Sequence, residues 1–405
     1  MTFFCLRRIG LASAIDSLVN RHQCQRMHPD LHDDELRAFR ASFQKFVAAE
    51  IQPHYERFLL EGVIDREVYT KAGALGFLCM TTGVAYGGLG LDFRYAAVVS
   101  EELAASQCSD VFFPLHSDIV APYIEHNATE GQKLKWLPKM ATGEIIGAIA
   151  MTEPGTGSDL QAMSTRAVAD GDCWVINGSK TFISNGLLCD LVIVAANTEG
   201  EGAGWQSMSL IVVEKNAPGF VRGRKLKKIG LMAQDTTEMH FEDCRVPKEN
   251  LLGERGQGFV YLMQELARER MVVAVGCVAG AEAALNLTIE YVKNRKAFGK
   301  PLSKQQNTRF KLAEMATEVE LGQAFVDRCI LQLNAGELTP AKASMAKYWT
   351  SEMLGRVVDE CLQLHGGYGY MHEYPIARAW LDARVQRIYA GTTEIMKEIV
   401  ARSLV

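Results

Sequence analysis

The hydrophobic period of this 405-residue chain changes twice, and that change restricts its architecture more than any other feature. From about residue 30 to 146 the apolar residues recur as on helices. In DDELRAFRASFQKFVAAEIQPHYERF, Leu36, Phe39, Phe43, Phe46 and Val47 fall at three- and four-residue spacing, and Pro53 punctuates the run. Between 147 and about 250 the runs shorten and fill with β-branched residues: WVINGSKTFISN, LVIVAANT, MSLIVVEK, EMHFEDCRV. The clusters DGD, NGS and NAPG separate them. Helical period returns over 258–293, roughly 305–335 and 340–365, after the hinge LLGERGQGF. The pattern predicts an α+β protein with a helical domain over 29–146, an antiparallel β-domain over 147–254 and a helical bundle over 255–405.

Composition narrows the function classes. A net charge of −5 provides no overall field for nucleic acid or an anionic membrane, so a phosphate-bearing ligand would need local arginines or backbone amides. Ten cysteines scatter from Cys5 to Cys361 without a CxxC pair. They read as buried free thiols in a reducing compartment, with a disulfide framework as the arithmetic alternative. Nine histidines show no HExxH spacing, so no metal site is expected. The longest apolar run, Met271–Ala281, stops at Glu282, short of the roughly 20 residues a membrane-spanning helix needs. The start, MTFFCLRRIGLASAID, reads as a weak export signal, a presequence or a ragged beginning, and residues 1–28 as a tail outside the fold.

Four stretches have the chemistry of a binding site, and each also has a plain structural reading. AMTEPGTGSDL at 150–160 packs glycines among hydroxyls, which suits close backbone approach to a phosphate or a polar ring edge, or merely a loop. INGSKTFISNG at 176–186 reads as a hairpin turning at Asn177-Gly178. Phe182 and Ser184 then share a face, as a cover for a planar group or as a core aromatic beside a surface serine. In NRKAFGKPLSKQQ at 294–306, Arg295 either complements a helix dipole or pairs with phosphates. QLHGGYGYMHEYP at 363–375 breaks a helix at Gly366-Gly367, and His365 beside them reads as structural. The basic run VRGRKLKK at 221–228 reads as a solvated sheet edge rather than a phosphate clamp.

In this order and spacing, the four stretches resemble the acyl-CoA dehydrogenase family from about residue 30 to the C-terminus. GAIAMTEPGTGSDL and HGGYGYMHEYPIARAWLDARVQRIYAGTTEIMKEIVAR are most similar to its long-chain branch. The resemblance implies a C-terminal four-helix bundle, non-covalent FAD, a homotetramer built as a dimer of dimers, and electron transfer to electron-transferring flavoprotein. It implies α,β-dehydrogenation of an acyl-CoA in fatty acid β-oxidation, in the cytoplasm of a bacterium or the mitochondrial matrix of a eukaryote. Carried over residue by residue, Met151, Thr152, Gly157 and Ser158 would contact the flavin. Phe182 would lie against its ring system, with Ile183 and Ser184 along its edge. Arg295, Phe298 and Gln306 would hold the phosphates and adenosine end of FAD, on a neighbouring subunit. Gln363, Gly366, Gly367, Thr392 and Glu394 would complete the cradle.

The reaction that this resemblance implies needs a carboxylate to remove the α-proton. In many members of the family it occupies the turn position held here by Ala390, in RIYAGTTEI. Alanine cannot accept a proton. On YLMQELARERMVVAVGCVAG at 261–280, Glu269 shares a helical face with Leu262, Leu266, Val272, Val273 and Gly276. By sequence it is either a base or half of a buried ion pair with arginine. In the long-chain and isovaleryl branches the base precedes an arginine on this helix, as Glu269 precedes Arg270. The resemblance therefore implies Glu269 as base, its pKa raised by the acyl chain, with Glu265 as the rival. Ser158, Arg270, Ala390 and Gly391 would meet the substrate, and the Ala390 N–H with a flavin ribityl hydroxyl would polarise the thioester oxygen. An isovaleryl-like substrate, an oxidase, or a non-catalytic acyl-CoA-binding or flavin-binding protein are the alternatives.

Overall fold

The computed structural model describes Leu31 and residues 33–198 and 204–405; the expected tail at 1–28 lies outside them. Asp33 caps the first helix among the described residues, α1 (Asp34–Phe46), by accepting the Leu36 N–H at 2.6 Å. The helix buries Leu36, Phe43 and Phe46. The chain then loosens into a wide turn at Val47–Ile51 and tightens at Gln52–His54, because Pro53 has no N–H and its ring opposes an unbroken helix. Five further α-helices lie in this part among the described residues: α2 (Tyr55–Glu61), α3 (Arg66–Ala74), α4 (Phe93–Ala105), α5 (Ala121–Asn127) and α6 (Glu130–Ala141).

The sheet strands are β1 (Gly147–Ala150), β2 (Arg166–Asp170), β3 (Cys173–Ser184), β4 (Leu191–Asn197), β5 (Met208–Glu214), β6 (Phe220–Lys225), β7 (Thr236–Pro247) and β8 (Leu251–Leu252). They pair in the order β6-β7-β3-β2-β4-β5-β8, with β1 alongside β4. The expected antiparallel sheet is thus corrected to a mixed one. β1 pairs with β4 in parallel register, Gly147 opposite Leu191, and β2 meets β4 in parallel at Arg166 and Asn197. The excursion through β2 and β3 brings the chain back beside β1 in the same direction, which a two-residue turn cannot do. β4 is buried from Leu191 to Ala196, so its sequence is a continuous apolar run rather than an alternation.

The expected hairpin at Asn177-Gly178 is not formed. β3 runs straight through, with a bulge against β7 between Ile176 and Gly178. Asn177 is tied across the sheet to Asp243, accepting its N–H at 2.8 Å. A Cβ on Gly178 would lie 2.5 Å from the Thr165 hydroxyl, so glycine serves close packing there. The real turn is one strand earlier, at Gly171, where φ is +55°. The basic run does begin on the edge strand β6, but two of its cations meet carbonyls: Arg222 bonds Gly186 O and Cys189 O, and Lys225 reaches Glu61 O on the helical domain.

The third part holds α7 (Gly258–Asn294), α8 (Gln306–Asn334), α9 (Pro340–His365), α10 (Pro375–Ala383) and α11 (Thr393–Arg402). α7 is long and apolar enough by composition to cross a bilayer. Its apolar face, from Met271 through Val278, is instead packed in the core against α4 and α9. α7 and α9 run in the same direction: Arg270 meets Ser344 near one end, and Tyr291 meets His365 near the other. The eight cysteines among the described residues are free, and all but Cys173 are buried; Cys5 and Cys24 lie outside them.

One buried histidine staples the helices to the sheet and gives a measurable consequence. His116 Nδ1 accepts the Gly147 N–H at 3.1 Å, and Nε2–H donates to Met140 O at 3.0 Å. Burial lowers its pKa from 6.5 to about 4. The unfolded chain therefore binds the extra proton first, so this contribution to stability is whole above pH 6.5 and lost as pH falls toward 4. The loss should reach about 3 kcal/mol. Thermal unfolding between pH 7 and 4 should show the decline, and His116→Gln should flatten it; an equal decline in both proteins would refute the attribution.

Candidate active site

The loop after β1 is zipped onto β3 by a buried ion pair. Lys180 Nζ donates to Met151 O and to Glu153 Oε1, both at 2.9 Å. Glu153 also accepts the N–H and hydroxyl of Ser164 and the N–H of Thr165, at 2.6–2.9 Å. Burial opposes ionisation of Glu153, but Lys180 and these donors outweigh it and bring its pKa to about 2. Thr181 N–H completes the seam on Thr152 O at 3.0 Å. One residue later, Phe182 sits in a second bulge with φ +60° and is 68% exposed. A bulky residue in the left-handed region, presenting its ring to solvent, is a strained feature of the kind that marks binding sites. The structure thus joins Met151 and Thr152 with Phe182 and Ser184. The Ile183 side chain turns into the core, leaving only its backbone for a ligand. Gly155 and Gly157 have open space where a Cβ would stand, and Ser158 is exposed.

Met151 packs against a core cluster that also contains Tyr123 of α5 and Leu262 of α7, which links this loop to the second group of residues. Glu269 is 4% exposed, and Tyr123 donates its hydroxyl proton to Glu269 Oε1 at 2.7 Å. Burial, with the nearby charge of Glu265, raises the Glu269 pKa to about 7, against the opposing effects of Tyr123 and Arg270. Desolvation thus comes from the protein itself, before any acyl chain arrives. The alternative of a Glu269–arginine ion pair is not realised among the described residues. Arg270 instead donates to the Ser344 hydroxyl at 3.2 Å, and its buried Nε has no partner among the described residues. Glu265, the rival base, is engaged by His126 Nδ1 at 2.6 Å.

The turn carrying Ala390 is tied to the same end of α9. Lys347, fully buried and three residues after Ser344, donates to Gly391 O at 2.6 Å, and burial brings its pKa down to about 8. Ala390 has φ +51° and Gly391 +92°. Among the described residues no acceptor meets either N–H, so both are available to an incoming oxygen. Thr392 then caps α11, Thr393 bonds Glu352, and Glu394 is exposed.

A third group lies at the far end of the bundle. The Arg295 guanidinium stands over Tyr368, 5.3 Å from its ring centroid, with Gln363, Gly366 and Gly367 exposed nearby on the same turn of chain. Phe298 is 97% exposed at φ +52°, and Gln306 is also exposed. His365 is structural: it stacks on Tyr291 and its Nδ1–H bonds Cys361 O at 2.8 Å. The helical rise from Arg270 to Tyr291 is about 30 Å, so this group stands well apart from Glu269 within one chain.

Sequence reasoning missed Tyr123, His126, Glu153, Lys180, Ser344 and Lys347. Glu153 and Lys180 lay inside the quoted stretches, but spacing says nothing of their pairing. Lys347 carried a signal: it is in helical register with the apolar face of Ala343, Thr350 and Leu354. Tyr123 and Ser344 carried none.

Models of acyl-CoA dehydrogenase domains match this chain in three consecutive parts: the N-terminal domain over 33–144, the middle domain over 148–244 and the C-terminal domain over 256–405. The mitochondrial long-chain specific acyl-CoA dehydrogenase of Sus scrofa is 51% identical over 368 residues, 91% of this chain and 86% of that protein. The crystal structure of an acyl-CoA dehydrogenase from Geobacillus kaustophilus superposes with a TM-score of 0.91 at 52% identity, over 92% of this chain and 98% of that one. A glutaryl-CoA dehydrogenase from Mycobacterium smegmatis, solved in complex with FADH2, superposes with a TM-score of 0.87 at 28% identity, over 94% and 96%.

Proposed function

This chain belongs to the acyl-CoA dehydrogenase family, and from that premise we propose that it dehydrogenates long-chain acyl-CoA thioesters between Cα and Cβ, with Glu269 as the base. The observation that carries the reading is a buried carboxyl near neutrality, Glu269, at the same end of the bundle as a turn with unused N–H groups. The pKa of about 7 suits a general base, because an appreciable fraction is ionised while proton affinity stays high. Tyr123 holds the carboxylate in place. The Ala390 N–H would bond the thioester oxygen as charge gathers there, and Lys347, through Gly391 O, would keep that turn in position. The small side chain of Ala390 leaves room for a long or branched acyl group, and the 51% identical long-chain relative favours the former.

FAD is the cofactor of this family, and the residues fit it. An exposed, strained Phe182 offers a face to a planar ring, open-sided glycines admit a close backbone, and Arg295 offers a cation for phosphates. When bound, FAD would accept the hydride leaving Cβ. Because the Arg295 group stands about 30 Å along the helices from Glu269, we assign it to the cofactor of a neighbouring copy in a tetramer. Electron-transferring flavoprotein is the proposed acceptor, and a bacterial cytoplasm or mitochondrial matrix the proposed location.

The test is anaerobic titration of FAD-loaded protein with acyl-CoAs from butyryl to palmitoyl, and with isovaleryl-CoA. Bleaching at low concentrations of the longer chains is expected; preference for isovaleryl-CoA would move the substrate, and no bleaching by any member would overturn the reading. Arg295→Ala should weaken FAD roughly tenfold or more, by loss of a charge-assisted bond, with a smaller effect on acyl-CoA. Unchanged flavin affinity would remove the assignment.

A further inference from the structure

Each turnover leaves a proton on Glu269, which has almost no contact with solvent. That proton must depart before the base can work again. Two of its neighbours cannot take it: Tyr123 already donates its own proton to Glu269, and Arg270 is a cation. Glu265 lies one helical turn away on the same face of α7, with about 5–6 Å between the Cβ atoms. Its side chain is 9% exposed, and its Oε1 meets His126 Nδ1 at 2.6 Å. His126, on α5, is 53% exposed. The set therefore grades from buried acid, through a nearly buried carboxylate, to a surface imidazole. We propose that Glu265 and His126 form the exit route that carries the abstracted proton from Glu269 to bulk water.

The proposal rests on the reading of Glu269 as base. Protons balance along the route. Protonated Glu269 gives its proton to the Glu265 carboxylate, directly or through one water. At rest the His126 Nδ1–H donates to the Glu265 carboxylate. Once Glu265 is protonated, the exposed imidazole turns its unprotonated nitrogen to it, takes that proton, and gives the other ring proton to solvent. One proton leaves, and all three groups return to their starting charge. The bond to Glu265 raises the His126 pKa, with help from the charges of Glu265 and Glu125 and against burial and Arg268, so the imidazole is protonated readily from the inner side. Neither residue touches the reacting carbons; the charge of Glu265 helps to raise the Glu269 pKa, and the relay itself acts on the base after the chemical step. The first reduction needs only an ionised Glu269, whereas renewal needs the relay.

The experiment is one anaerobic turnover of FAD-loaded enzyme with a reactive acyl-CoA, in weak buffer with a pH-indicator dye, well above pH 7. Flavin bleaching and proton release are followed together. In the parent they should run in step. In His126→Gln and in Glu265→Gln, release should lag bleaching tenfold or more, and added imidazole should restore it in His126→Gly. Release in step with bleaching in both variants would overturn the relay. So would an equal slowing of both signals, which marks damage to the base or its surroundings. A parent protein that no acyl-CoA bleaches would remove the dehydrogenase reading and the relay with it.

Discussion

Glu269→Gln should reduce its flavin at least a hundredfold more slowly than the parent, while FAD and acyl-CoA still bind. Glutamine keeps the size of the side chain and the Tyr123 hydrogen bond but cannot accept the α-proton. The parent rate should rise with pH through about 7 and level off above it, because only ionised Glu269 is a base. Tyr123→Phe should move that midpoint upward, since the lost bond favours the carboxylate. The same substitution at Glu269 should have the opposite effect on stability. A carboxyl whose pKa is raised by burial favours folding below pH 4.5, and that contribution fades as pH climbs to about 7. At pH 8 the parent bears the full cost of the buried charge, so the glutamine variant should be more stable by up to about 3 kcal/mol. A slow but less stable variant would mean that Glu269 is a structural anion. Parent-rate bleaching would remove it as the base.

The order of helical, sheet and helical parts was legible because hydrophobic period is a local property. α7, α8 and α9 fall within a residue or two of the runs read at 258–293, 305–335 and 340–365. The strand direction was not legible. Whether β4 lies parallel to β1 depends on where β2 and β3 go, and no window of sequence contains that information. Asn177-Gly178 misled because the pair has the chemistry of a tight turn; Asp243 and Thr165, distant in sequence, decide that it bulges. The site divides likewise. Glu269 stood out as an acid on an apolar stripe, but its engagement by Tyr123 instead of an arginine depends on the packing of α5. The polar atoms that hold the site, Lys180 on Met151 O and Lys347 on Gly391 O, are lysines by sequence and carbonyl anchors only in three dimensions.

Glu153→Gln and Lys180→Met should each destabilise the protein by roughly 3–5 kcal/mol and loosen FAD, and together they should cost less than their sum. Removing Lys180 leaves Glu153 buried, with three donors from Ser164 and Thr165 but no cation. Removing the Glu153 charge leaves Lys180 buried with Met151 O alone. Burial already pulls Lys180 down to about 8, so it can shed its proton more easily than Glu153 can gain one, and Lys180→Met should be the worse single change. In the double variant neither uncompensated charge remains, and the stability should partly return. Flavin binding should not return with it. Met151 O and the loop to Thr156 still lack their anchor beside Phe182, so FAD affinity should stay low in the double variant. That split between unfolding and flavin affinity separates two roles for the pair. If both quantities recover together, the ion pair serves only the core, and the loop is positioned by the Thr181–Thr152 seam instead.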